Sequence, residues 1–235
     1  MFEIFVKFWW QYLLLALCCY LLCNVNYAVI FSRLIKKSDV RNYGSGNPGT
    51  TNMFRVYGLR MGALTFACDA LKGVVCVLLA KVIFRSFGDA EAATTAGYIA
   101  ALFATWGHVF PVFYHFRGGK GVATSIGAMF ALQPLFMLCC VLPCCTILLL
   151  SDRVSVMSLL LALFMIVWSW VAWAVEASSE VIYKSIDTFC CVMVTAIFAT
   201  VIFAHRHNVL RIFTGKEKRM GLRKALRGKS DKIVK

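Results

Sequence analysis

Four polar segments of this chain carry the groups that could grip an oxyanion. The first reads Tyr43-Gly-Ser-Gly-Asn-Pro-Gly-Thr-Thr-Asn-Met-Phe-Arg55. Its glycines expose backbone N–H groups in a turn. Ser45, Asn47, Thr50, Thr51 and Asn52 add hydroxyl and amide donors, and Arg55 adds a planar cation. A loop of this kind wraps an anion, most often phosphate. Gly44, Gly46 and Gly49 formally match GxGxxG, but a dinucleotide fingerprint follows a strand in a βαβ unit, and here a long apolar stretch precedes it. The other reading is a structural turn that caps the next helix.

The second segment is Gly107-His-Val-Phe-Pro-Val-Phe-Tyr-His-Phe-Arg-Gly-Gly-Lys-Gly-Val-Ala-Thr124. It is not a Walker A loop: Tyr114 stands where the first glycine belongs, and Gly121 where Ser or Thr should follow Lys120. Gly118, Gly119, Lys120 and Gly121 at a helix start still offer amides and an ammonium to phosphate oxygens. His108 and His115 flank this run and read as structural hydrogen-bonders. In the third segment, Asp152 to Ser158, Ser155 and Ser158 share one helix face. In the fourth, His205 to Glu217, the spacing sets His205, Asn208 and Arg211 on roughly one face. An imidazole, an amide and a guanidinium side by side suit an oxyanion.

No activated nucleophile is apparent. The residue five after each histidine is Phe113, Lys120, Leu210 or Ile212, so the acyltransferase pattern His-x4-Asp is absent. All 11 cysteines fall in apolar stretches and read as small apolar filler. The doublets Cys139-Cys140 and Cys144-Cys145 have no His or carboxylate beside them, so no metal is expected.

The elements that must position these groups are membrane helices. Of 235 residues, 60% are hydrophobic and 15% charged, and the mean hydropathy is +0.75. That excludes a soluble globular enzyme, a disordered tail and a fibrous repeat. Phe8–Ser32, Gly62–Phe84, Ala92–Phe110, Val154–Val175 and Thr188–Ala204 each suit one span. The stretch 121–151 is uncharged, and as one helix it would run about 46 Å; Gln133-Pro134 divides it into two short helices. Seven spans follow, and the net charge of +14 then falls on one face. The first loop, Arg33–Arg60, carries +5 and His205–Lys235 carries +9, whereas Glu176–Asp187 carries −2. The positive-inside rule puts the N-terminus outside and the C-terminus in the cytoplasm. Residues 1–217 read as one integral-membrane domain. Residues 218–235 read as a basic tail for anionic headgroups, with RNA as the weaker alternative because interleaved aromatics are missing. Within the stretch Gly62–Phe84, Asp69 and Lys72 are either a functional intramembrane pair or a neutralised pair near the outer interface.

Together these segments resemble the PlsY family of bacterial glycerol-3-phosphate acyltransferases, from the loop Gly44–Arg55 through Asp69–Gly73, Gly107–Gly121 and Arg153–Ser158 to His205–Glu217. The resemblance implies an all-α, seven-helix transmembrane bundle in the bacterial inner membrane with its site on the cytoplasmic face. It implies acyl transfer from acyl phosphate to the 1-hydroxyl of glycerol 3-phosphate, giving 1-acylglycerol 3-phosphate and phosphate in phospholipid biosynthesis. Neither a cofactor nor nucleic acid is implied; the partners are the two substrates, membrane lipid and a soluble enzyme that supplies acyl phosphate. Position by position, the first motif falls on Ser45, Asn47, Gly49, Asn52 and Arg55, and the second on Gly118, Gly119, Lys120 and Gly121. The serine pair falls on Ser155 and Ser158, and the third motif on His205, Asn208, Arg211 and Glu217. Ser45, Arg55, Lys120, His205 and Asn208 are expected to be catalytic, and the others to bind substrate or phosphate. The hydroxyl proton goes to His205 or to a phosphoryl oxygen of the donor, with the oxygen preferred. The competing class is a transporter or channel for an anionic metabolite, which should place its polar groups near the bilayer midplane in broken or repeated helices. Here they cluster at helix ends.

Overall fold

The computed structural model describes residues 2–178 and 187–222. Among these the chain forms α1 (Phe2–Cys23), α2 (Tyr27–Lys36), α3 (Thr50–Tyr57), α4 (Leu59–Arg85), α5 (Ala90–Val109), α6 (Val122–Leu132), α7 (Pro134–Ser151), α8 (Val154–Ser178), α9 (Thr188–Ala204) and α10 (Arg206–Phe213). Helix starts are set by short polar side chains that accept from orphan amides: Asn26 from Val29 N–H at 3.0 Å, Asp89 from Ala92 at 2.8 Å and Asp187 from Cys190 at 2.8 Å.

The apolar stretch Phe8–Ser32 lies within one candidate span, Glu3–Lys36, and the structure adds detail along it. The stretch Phe8–Ser32 is not one straight helix: α1 begins at Phe2, Phe8 has non-helical dihedrals, and Asn24–Asn26 separate α1 from the amphipathic α2. Asn24 and Asn26 compete for local backbone groups and end the run. Gln133 closes α6 and Pro134 opens α7, as the proline's missing N–H and fixed φ favour. Among the described residues five segments are long and apolar enough to cross a membrane, and six if α9 and α10, bent by 59°, count as one span. The eleven residues of α6 are too few to qualify alone. Residues 179–186, within the segment expected to carry −2, lie outside the described residues.

The bundle is built around α5, whose buried residues include the small Ala92, Ala93, Ala96, Gly97, Ala100, Ala101, Ala104 and Gly107. Without a hydrophobic drive between helices in lipid, small residues let backbones approach and gain dispersion contacts. Helices α1, α4 and α9 pack on α5, α6 packs on α4, and α8 bridges α7 and α9. Exposed Leu13, Leu17, Leu78, Val82, Leu150, Leu163 and Val167 form the lipid-facing surface.

The α4–α6 contact positions the Gly-rich segment. A methyl on Gly127 would sit 2.0 Å from the Ala70 carbonyl oxygen, so the backbones touch there. Gly127→Ala is expected to separate α6 from α4 and destabilise the fold by about 1–3 kcal/mol. A thermal melt of the detergent-purified protein checks this; an unchanged Tm would show that the contact gives way freely.

Candidate active site

Every site residue expected from the sequence lines one cavity of about 1610 Å³. Its polar end is assembled from the 44–55 loop and α3, the 116–121 loop, the start of α8, and the α9–α10 junction with residues 217–222. Its apolar end descends between helices: Ala63, Phe66 and Val74 of α4, Ile126 and Phe130 of α6, Val141, Cys145 and Leu148 of α7 and Met157 of α8. No periodicity marks this groove in the sequence, because four helices each give a few ordinary apolar side chains to it.

The residues divide by what their polar atoms already do. Asn52 is spent on the loop: its amide donates to Val40 O (3.1 Å) and Tyr43 O (3.0 Å), and its oxygen accepts from Ser45 N–H (2.9 Å). This buried side chain shapes the loop, from which Ser45, Asn47, Thr50, Thr51 and Arg55 also line the cavity. Arg55 donates through Nη2 to Lys218 O at 3.1 Å. Its buried Nε has no hydrogen-bond partner among the described residues. A buried donor left open in this way carries a desolvation cost unless a ligand meets it.

Glu217 is the hub of the opposite wall. Its carboxylate accepts from Ser155 Oγ at 2.6 Å, Asn208 Nδ2 at 2.9 Å and Arg211 Nε at 3.1 Å. Burial pushes the carboxyl upward, but these three donors outweigh it and hold the group below its usual range. The sequence reading grouped Glu217 with the phosphate-binding residues. The structure shows the carboxylate occupied by three side-chain donors, on Ser155, Asn208 and Arg211. Asn208 in turn donates to Ser155 Oγ at 2.7 Å and accepts from Lys120 Nζ. Ser158, one turn beyond Ser155, bonds instead to its own helix at Val154 O (2.9 Å).

Lys120 is thus held at the cavity wall with its charge only partly balanced. Burial, with Arg211 and Arg55 adding to it against the pull of Glu217, brings its ammonium down to about 8. His205 sits just past the end of α9, and its Nδ1 is 2.8 Å from Val201 O. A carbonyl only accepts, so Nδ1 carries the ring proton and Nε2 keeps its lone pair. Burial, and then Lys120, hold this imidazole down to about 4, so it is neutral at pH 7.

The segment after α10 packs back on the bundle. Asp152, in the left-handed conformation between α7 and α8, accepts from Gly221 N–H (3.0 Å) and Leu222 N–H (2.9 Å). The basic residues 223–235 lie outside the described residues. No group of three or more metal-ligating side chains comes together among the described residues.

Comparison with known proteins agrees with this architecture. The family model described as glycerol-3-phosphate acyltransferase matches residues 13–215. The chain belongs to that family. It is an acyltransferase, and 35% identical over 216 residues to the glycerol-3-phosphate acyltransferase of Clostridioides difficile, covering 91% of this chain and 98% of the relative. The Finegoldia magna enzyme of the same name is 32% identical, covering 89% and 96%. The crystal structure of PlsY, an integral membrane glycerol 3-phosphate acyltransferase, in its glycerol 3-phosphate form superposes with a TM-score of 0.75 at 33% identity, covering 92% of this chain and 98% of that one. Its lysophosphatidic acid form gives a TM-score of 0.73 at 32% identity. The acyltransferase is therefore a multi-pass membrane protein.

Proposed function

We propose that this enzyme moves a fatty acyl group from acyl phosphate to the 1-hydroxyl of glycerol 3-phosphate, giving 1-acylglycerol 3-phosphate and inorganic phosphate. The observation that carries the reading is a single cavity whose cationic mouth of Arg55, Lys120 and Arg211 continues into an apolar groove between α4, α6, α7 and α8. One end suits phosphates and the other an acyl chain. The site works at the cytoplasmic face of a bacterial inner membrane, with seven spans, the N-terminus outside and the C-terminus inside. A soluble enzyme supplies the acyl phosphate. Residues 1–217 form the membrane domain.

Two phosphates 6 Å apart repel by about 3 kcal/mol per pair of unit charges at an effective dielectric of 20. Arg55, Lys120 and Arg211 offset this repulsion, with Ser45, Asn47 and the amides of Gly118–Gly121 supplying further donors. The glycerol oxygen attacks the acyl carbon, the new C–O ester bond forms, and the carbon–oxygen bond to phosphate breaks. The hydroxyl proton leaves on a phosphoryl oxygen of the donor. His205 Nε2, a lone pair on a weakly basic ring, accepts from and orients a substrate hydroxyl.

Mixing purified protein with acyl phosphate and glycerol 3-phosphate tests the reading: phosphate and acylated product should appear in equal amounts. Phosphate release without acylated product would refute transfer, and turnover with acyl thioesters alone would refute the donor. His205→Gln, which keeps an acceptor at the site, is expected to retain more than roughly a tenth of kcat. Retention at that level excludes His205 as an obligatory base.

A further inference from the structure

We propose that a buried charge cluster, Lys72–Asp69–His108, is the positioning unit of the Gly118–Gly119 turn. The inference rests on the reading of that turn as a phosphate cradle. None of the three residues belongs to the catalytic set, and all are nearly inaccessible.

Lys72 and Asp69 lie one turn apart on α4, 2.9 Å from Nζ to Oδ1. Lys72 Nζ also donates to Val25 O at 2.8 Å and Cys23 O at 3.3 Å, where α1 ends. Its remaining contact is His108 Nδ1 at 2.9 Å, near the C-terminal end of α5. Asp69 Oδ1 lies 3.4 Å from the same Nδ1, so both charged groups hold this edge of the ring. The cluster therefore pins α1, α4 and α5 at one point and fixes the orientation of the His108 ring. Removing one member of such a buried pair is costly, and this favours a single arrangement of its neighbours.

The turn rests on His108. Gly119 N–H donates to His108 O at 3.2 Å. A methyl on Gly118 would meet that same oxygen at 2.0 Å, and a methyl on Gly119 would meet His108 Nε2 at 2.1 Å. The imidazole and its carbonyl thus form the floor on which two cavity-lining glycines lie. Chain bearing phosphate-binding amides must be held within a fraction of an ångström, and this floor does so from beneath.

Two experiments test the assignment. The first is Asp69→Asn with Lys72→Met, a neutral pair that avoids a stranded buried charge. We expect the KM of one phosphate substrate to rise about tenfold, with kcat within about threefold and the protein still monodisperse. Unchanged KM values, or a fall only in folded protein, would overturn the proposal. The second is a size-swap cycle. Gly119→Ala should weaken phosphate binding at least about fivefold more beside His108 than in a His108→Ala background, where the ring is gone. An equal effect in both backgrounds overturns the proposal. The cycle is also read as the Tm rise that inorganic phosphate gives, which needs no turnover. That readout decides the positioning role even if the acyl-transfer reading fails.

Discussion

Lys120→Met is expected to lower kcat/KM by about a thousandfold, or about 4 kcal/mol of transition-state stabilisation. The side chain is half-buried at the cavity wall and fixed by Asn208, so water screens its charge only in part. The same burial makes it sensitive to pH. Only the ammonium attracts phosphate, and in the free enzyme it is held down to about 8. Kcat/KM should therefore fall as pH rises through about 8, approaching tenfold per unit. Bound phosphate favours the ammonium and raises its pKa, so kcat should hold to higher pH. Lys120→Met should lack this alkaline break. A pH–rate profile of wild type and variant checks both points, and a wild-type kcat/KM flat to pH 10 would remove Lys120 from the phosphate site.

The second large effect belongs to a residue that need not touch substrate. Glu217→Ala strands three donors, on Ser155, Asn208 and Arg211, that now converge on one carboxylate. Asn208 then loses the orientation that presents its oxygen to Lys120. We expect activity to fall about a hundredfold while the bundle remains folded, since misplacement by about 1 Å is enough for that loss. Glu217→Gln, which keeps acceptor capacity on one oxygen, should lie between the two. Initial rates of acylated-product formation, normalised to monodisperse protein, decide it. Equal activity of wild type and Glu217→Ala would show that Ser155, Asn208 and Arg211 orient themselves.

Both predictions follow from residues already distinguishable in the chain. Glycines, amides and cations at the ends of apolar runs marked four segments as phosphate-compatible, because water-filled helix ends are where such groups are tolerated. The break at Gln133-Pro134 was legible because proline lacks an N–H and its predecessor avoids the helical region. The kink at Phe8 and the Asn24–Asn26 break were not, since neither asparagine nor phenylalanine compels a helix to stop. Roles were less legible than membership. Asn52 bears the same amide as Asn47 in the same loop, and nothing local separates a side chain spent on its own loop from one left open.

Thus the sequence alone determined that the chain is a helical membrane protein, where its apolar runs begin and end, and which polar segments share a phosphate chemistry. Those properties follow from hydropathy and residue type, which are local. Only the tertiary structure decided that the four segments meet at one cavity, that the groove for a chain opens between α4, α6, α7 and α8, and that Asp69, Lys72 and His108 close on one another beneath Gly119. Residues 36 positions apart in the chain, as Lys72 and His108 are, become neighbours only when small residues let the helices approach. That depends on the packing of the whole bundle rather than on any one segment.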